Sequence, residues 1–224
     1  TQGGKGILLG GIPGVSPTEI VIVGAGNAGT VAARAALALG ASVKVFDDDI
    51  NKLRTIQQVL GQGLFTSTFH PNVLHNAFRT ADVVIGAMRY INTRYRYVIA
   101  EELVRTMKRG SLVIDLRISQ GGCFETTCCL AKSEPTVFEQ YGVLHYCIPN
   151  ISNRVARTTS MAFSNIFVPI FLALGDAGTV QNMIKSDDGF RSGVYMYCGK
   201  PVNNYVSNHF NLSSNNLDLY LSAF

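Results

Sequence analysis

Three glycines and one aspartate carry the clearest chemistry in this chain. Gly24, Gly26 and Gly29 stand in a G-x-G-x-x-G spacing directly after the apolar run 20–23. An alanine-rich helical pattern follows over 31–39, then a second apolar run over 42–46 that ends at Asp47. Strand, tight turn, helix, strand, acid is the order that a dinucleotide site requires. Gly24 permits the sharp turn, Gly26 lets backbone approach a pyrophosphate, and Gly29 lets helix and strand pack closely. Asn27 and Ala28 open the helix, whose N-terminus offers unpaired N–H groups and a positive dipole end to phosphates.

Asp47 also bears on which nucleotide fits. A carboxylate there accepts hydrogen bonds from the ribose hydroxyls and repels a 2′-phosphate. Asp48 and Asp49 stand beside it with no arginine immediately after, so NAD(H) is favoured over NADP(H). The same acids also fit a loop that caps the next helix through Asp49 or Asn51, and both readings can hold together. Lys52, one turn on, is placed for the adenosine side or for solvent.

The elements that position these residues alternate for two-thirds of the chain. Strands are predicted at 20–23, 43–46, 83–85, 112–116 and 143–146, and helices at 28–39, 50–58, 72–78 and 99–107. That alternation predicts an α/β fold: a Rossmann-type, doubly wound parallel sheet. Lys108, Arg109 and Gly110 read as the close of a helix, and Ala87 follows a strand where a loop faces the cofactor. From about Asn150 the pattern changes. A long apolar helix is predicted at 157–174 with Pro169 inside it, followed by a short, polar, irregular remainder with a weak helical tail at 203–210. The expected organisation is a nucleotide-binding domain over 1–156 and a C-terminal helical extension over 157–224, whose apolar helix needs a partner.

Bulk properties narrow the class. The 224 residues are 47% hydrophobic and 15% charged, with a net charge of +4, ordinary for a globular protein. The longest apolar stretch, 166–174, reads as far short of a membrane span. Arginines 89, 94 and 96 alternate with tyrosines 90, 95 and 97. That cluster is short for nucleic acid, and a loop at the edge of a cofactor cleft explains it. The five cysteines lack a disulfide or zinc spacing, so reduced thiols, no metal and a cytoplasmic protein are expected. His145 reads as a satisfied buried histidine, Cys123 as structural, and Asp115 as an anchor for the loop after its strand.

Further segments carry a resemblance. They are G-G-I-P-G-V at 10–15, the glycine fingerprint, A-D-V-V-I-G-A at 81–87, M-K-R-G-S at 107–111, Q-G-G-C-F-E-T at 120–126, H-Y-C-I-P-N at 145–150 and R-T-T-S at 157–160. In order and spacing the chain resembles the cofactor-binding half of the alanine dehydrogenase family, whose fold is shared by the soluble domain of pyridine nucleotide transhydrogenases. The resemblance implies NAD-dependent oxidation of L-alanine to pyruvate and ammonia, with hydride passing between the substrate Cα and nicotinamide C4. It places the pyrophosphate on Gly24, Gly26, Asn27, Ala28 and Gly29, and the adenosine ribose on Asp47 with Asp48 and Lys52 nearby. Ala87 and Met88 would line the inner cleft. Ile118, Ser119, Asn150 and Ile151 would surround the nicotinamide and a small amino-acid substrate, with Ser119 and Asn150 as the candidate catalytic pair.

Three departures cluster at the reacting end. Ser119 stands where the family carries aspartate in I-D-Q-G-G, so a hydrogen-bonding group remains but charge and basicity are lost. The loop 88–96 differs from the family's beyond its first position, and Ile151 and Ser152 replace Met-Pro. The resemblance further implies an N-terminal substrate domain ahead of Thr1, a homo-oligomer, and no turnover by these 224 residues alone. No nucleic acid and no membrane partner are expected. The alternatives are a non-catalytic NAD(H)-binding or sensing module, a dehydrogenase with a changed amino-acid substrate, and a transhydrogenase fragment.

Overall fold

The computed structural model describes residues 5–61, 63–88, 97–128 and 137–222. The chain forms two compact units, Thr1–Ile151 and Ser152–Phe224. The first holds β1 (Glu19–Val23), α1 (Asn27–Ala38), β2 (Ser42–Phe46), α2 (Ile50–Leu60), β3 (Phe65–Ser67), α3 (Pro71–Thr80), β4 (Val83–Gly86), α4 (Glu101–Arg105), β5 (Leu112–Asp115), β6 (Val137–Gln140) and β7 (Val143–Tyr146). The strands make one sheet in the order β3-β2-β1-β4-β5-β7-β6. All neighbours pair in parallel except β6 with β7. The order reverses between β1 and β4, and in open α/β sheets ligands bind in the crevice outside the strand C-termini at that point.

Alternation along β1 explains why both faces are covered. Val21 and Val23 point into a core with Leu74 and Phe78 of α3 and Val104 of α4. Ile20 and Ile22 point the other way, onto Ala33 and Ala36 of α1 and Leu53 and Ile56 of α2. Strands buried on both faces read as continuous apolar runs, as 20–23 does. Each fully buried side chain such as Ile22 or Phe46 contributes roughly 1.5–3 kcal/mol.

The Rossmann-type doubly wound fold is therefore present, with differences at its margins. The short edge strands β3 and β6 escape the apolar-run pattern, and β6 makes the sheet mixed rather than wholly parallel. The helix expected over 99–107 is only five residues long. It stops at Arg105, and Lys108 lies beyond its end with its Nζ 3.1 Å from Asp82.

The second unit is more ordered than its polar composition predicts. It contains α5 (Ala156–Ala177), α6 (Val180–Ser186), α7 (Asp188–Ser192), the hairpin β8 (Met196–Tyr197) and β9 (Lys200–Pro201), α8 (Asn204–His209) and α9 (Leu217–Ser222). Thr179, Asp187 and Asn203 cap α6, α7 and α8 through their side chains, which is why polar residues there build short helices. An apolar cavity of about 730 Å³ lies among Phe167, Ile184, Phe190 and Val194. On α5, Phe163, Phe167 and Phe171 stack in series and are exposed. Among the described residues Ile151–Ala177 is long and apolar enough to cross a membrane by length and composition, with mean hydropathy 1.5. This corrects the expectation from the unbroken run 166–174: small and hydroxylated residues lengthen the apolar helix without making it strongly polar.

Candidate dinucleotide site

The turn after β1 has a geometry that only its glycines permit. Gly24 has φ +111°, and a Cβ there would sit 2.8 Å from the Met88 nitrogen. Its N–H donates to the Phe46 carbonyl at 2.7 Å, locking the ends of β1 and β2 together. A Cβ on Gly29 would lie 1.8 Å from the Gly24 carbonyl oxygen, so the helix can approach the turn only without a side chain. Gly26 is different: open space surrounds the place a Cβ would take. It is the N-cap of α1, with no side-chain cap and no acidic residue in the first turn. Exposed Asn27 and Ala28 follow. The helix start therefore keeps free N–H groups facing a gap, the arrangement that accepts phosphate.

Asp47 is 1% exposed, and its carboxylate holds this turn. Oδ2 accepts the Ala25 N–H at 2.7 Å and Oδ1 accepts the Asp49 N–H at 2.9 Å. A carboxylate offers about four acceptor sites, so capacity remains for ribose hydroxyls. Lys52 Nζ lies 3.7 Å from Asp47 Oδ1 and is half exposed, an ion pair of small worth. The Asp48 carboxyl is pushed up by desolvation, then by its hydrogen bond to Asp47 and by that residue's charge. Asp49, not Asn51, caps α2, accepting the Asn51 N–H at 2.8 Å.

On the other side of the crevice, Asp115 organises the loop after β5. Its Oδ1 accepts the Arg117 N–H at 2.9 Å, and its Oδ2 accepts the Cys123 N–H at 2.8 Å and the Thr127 hydroxyl at 2.7 Å. A short 3-10 turn, Ile118–Gln120, then buries Ile118 and exposes Ser119. A cavity of about 460 Å³ lies beside Ile118, Gly121, Phe124 and Thr127. Asn150 is exposed, with φ +53°, and Ile151 begins the next 3-10 turn. Asn150 makes no hydrogen bond to Ser119, so the fold brings their segments to one sheet edge without joining the pair. Arginines 89, 94 and 96 lie outside the described residues.

Two buried groups are satisfied and inert. His145 Nδ1 lies 3.0 Å from the Val143 carbonyl and Nε2 lies 2.9 Å from the Thr126 hydroxyl. The carbonyl fixes the proton on Nδ1, so Nε2 accepts from Thr126. Burial holds the His145 pKa below its ordinary value. The Cys123 thiol is pushed up to about 12 by burial and then by the charge of Asp115. Its sulfur is hydrogen-bonded to the Met88 backbone N–H, so it steadies the start of the loop after β4. Sequence reasoning missed this link, because the two residues meet only through the packing of separate loops.

Residues 1–204 match the model of the alanine dehydrogenase/PNT C-terminal domain family. The chain is 39% identical over 212 residues to an alanine dehydrogenase of Halomonas elongata, covering 94% of this chain and 56% of that protein. The chain belongs to this family. To an alanine dehydrogenase of Mycolicibacterium smegmatis it is 37% identical, covering 95% of this chain and 57% of the relative. A solved L-alanine dehydrogenase superposes with a TM-score of 0.84 at 32% identity, covering 94% and 57% of the two chains. A transhydrogenase structure from Sinorhizobium meliloti, at 21% identity and a TM-score of 0.65 over 85% and 51% of the two chains, shares the fold. The chain thus spans a little over half the length of the curated relatives it matches. Within the alanine dehydrogenase family it corresponds to the C-terminal, NAD-binding domain, and the free helix start, the open Gly26 and the buried Asp47 fit that cofactor.

Proposed function

We propose that this chain supplies the cofactor half of an alanine dehydrogenase-type reaction, L-alanine with NAD giving pyruvate, ammonia and NADH. The observation that carries the reading is the Gly24–Gly29 turn held by Asp47, in a chain of this family. Gly24, Gly26, Asn27, Ala28 and Gly29 take the pyrophosphate through backbone N–H groups. Asp47 takes the adenosine ribose, with Asp48 and Lys52 at its edge. Ala87, Met88, Ile118, Ser119, Asn150 and Ile151 border the nicotinamide. When bound, NAD supplies the hydride-accepting ring carbon. The chain's own part is to hold that ring in line and exclude water. Ser119 can donate or accept a hydrogen bond to the reacting group, and Asn150 can orient it.

The relatives are longer, so we propose that turnover needs a further, N-terminal domain, and that the protein works as a cytoplasmic homo-oligomer without nucleic acid or membrane. The exposed Phe163, Phe167 and Phe171 of α5 favour a protein partner for that helix. The test is NADH formation by the complete protein across a panel of small L-amino acids. Alanine-dependent reduction supports the reading; silence across the panel with tight NADH binding refutes it.

A second reading is a non-catalytic NAD(H)-binding module. Ser119 favours it, because an exposed hydroxyl is not a base at neutral pH. Activity that appears only in Ser119→Asp would support this alternative.

A further inference from the structure

Every polar atom of Cys123 is committed, and two of them hold the connection from β4 to α4. Its sulfur accepts the Met88 N–H, and its carbonyl accepts the Val98 and Ile99 N–H groups at 2.9 and 3.0 Å. Both ends of that connection therefore hang on one residue. Asp115 fixes it in turn, its Oδ2 accepting the Cys123 N–H at 2.8 Å. The Cys123 side chain is fully buried, and glycine at the end of β4 makes room for it. A Cβ on Gly86 would lie 2.7 Å from the Cys123 Cβ and 3.1 Å from its sulfur. The Met88 nitrogen also abuts Gly24, 2.8 Å from the place a Cβ would take there. The glycine turn has its own anchors, the Gly24 N–H on the Phe46 carbonyl and the Ala25 N–H on Asp47. The Met88 amide is anchored on the sulfur.

We propose that Cys123 is a positioning residue for the nicotinamide half of the dinucleotide, acting through the Met88 backbone. The claim rests on the function proposed above, which sets Met88 beside the nicotinamide. Met88 is partly buried against the core that contains Cys123. Without the sulfur its amide loses its acceptor in a packed setting, and the backbone after β4 loses its fixed place against Gly24. The adenosine half is untouched, because the turn and Asp47 keep their own hydrogen bonds. A thiol suits the position: it fills the space beside Gly86 as a small apolar group and still offers a weak acceptor.

The test uses the 224-residue chain labelled with ¹⁵N-methionine, whose five methionines give five amide signals. NADH and ADP are titrated into the native chain, Cys123→Ala, Cys123→Ser and the core truncation Val113→Ala. The expected result is NADH affinity lower by roughly three- to tenfold in Cys123→Ala, with ADP affinity unchanged. Cys123→Ser keeps an acceptor and should recover most of the loss. Val113→Ala, a cavity in the same core, should lower Tm and leave both affinities alone. The Met88 amide should exchange with solvent faster in Cys123→Ala, and in the native chain it should shift with NADH but not with ADP. Undiminished NADH affinity in a folded Cys123→Ala, parallel losses for NADH and ADP, or no recovery in Cys123→Ser overturns the proposal. An equal loss of NADH affinity in Val113→Ala does the same. Should Cys123→Ala not fold, the native Met88 signal decides: a shift with both ligands, or with neither, overturns the proposal. A native chain that binds neither ligand is a different failure, which strikes the nucleotide reading and this proposal with it.

Discussion

Asp47 is tied to the glycine turn it faces: its Oδ2 accepts the Ala25 N–H at 2.7 Å. One buried carboxylate thereby fixes the glycine turn, and in the proposed function it also offers its remaining lone pairs to the ribose. Asp47→Ala removes both functions, Asp47→Asn only the charge. Hydrogen bonds to charged groups are worth about 1.5–3 kcal/mol, so NADH affinity should fall roughly tenfold to a hundredfold in Asp47→Ala and less in Asp47→Asn. Fluorescence titration of NADH checks the order of the two variants.

The glycines separate folding from binding. Gly29→Ala forces a Cβ onto the Gly24 carbonyl, an overpacking that costs roughly 1–3 kcal/mol or more, so its Tm should fall. Gly26→Ala meets open space, so its Tm should hold while NADH affinity drops, because the new methyl occupies the approach of the phosphates. Equal Tm losses would show that Gly26 is merely structural.

Asp115 should behave as the keystone of the loop around Ser119. Asp115→Ala strands the Arg117 and Cys123 N–H groups and the Thr127 hydroxyl. Leaving buried donors unpaired costs about 1–3 kcal/mol each, so chemical denaturation should show a loss of roughly 3 kcal/mol or more. Asp115→Asn keeps acceptor capacity on one oxygen and should lose less.

His145 gives a pH signature. Burial holds its folded pKa below the ordinary value near 6.5, so below that pH the unfolded chain binds more protons. Stability is then level above about pH 6.5 and falls as pH drops through the gap between the unfolded and folded values. Melting curves between pH 8 and 5 should show this slope, and His145→Gln should flatten it.

The thiols divide by burial. Cys198 is exposed, whereas Cys123 and Cys147 are buried. A thiol held near pKa 12 carries almost no thiolate at neutral pH. Iodoacetamide with peptide mapping should label Cys198 in the folded chain and label Cys123 and Cys147 only after unfolding.

The sequence made the β1–α1–β2–Asp47 unit legible because every requirement there is local: a doubly buried strand, a fixed glycine spacing and an acid at the next strand end. The Asp115 anchor and the buried His145 were legible for the same reason. Edge strands β3 and β6 were not, since three or four half-buried residues leave no periodic pattern. The long helix near Ala156 was placed to within a few residues at each end, and α8 falls within the expected helical tail at 203–210, but the capped α6 and α7 between them were hidden by their polarity. The Cys123–Met88 contact arises from loops that meet only in three dimensions. No spacing in the chain announces it.

The central claim is that the Gly24–Gly29 turn and Asp47 form a working NAD(H) site, and titrating the chain with NADH and NADPH tests it most directly. The account predicts saturable NADH binding at one site per chain, with NADPH weaker by roughly tenfold or more because its 2′-phosphate meets the buried carboxylate of Asp47. Absence of NADH binding, or equal affinity for the two, would contradict it.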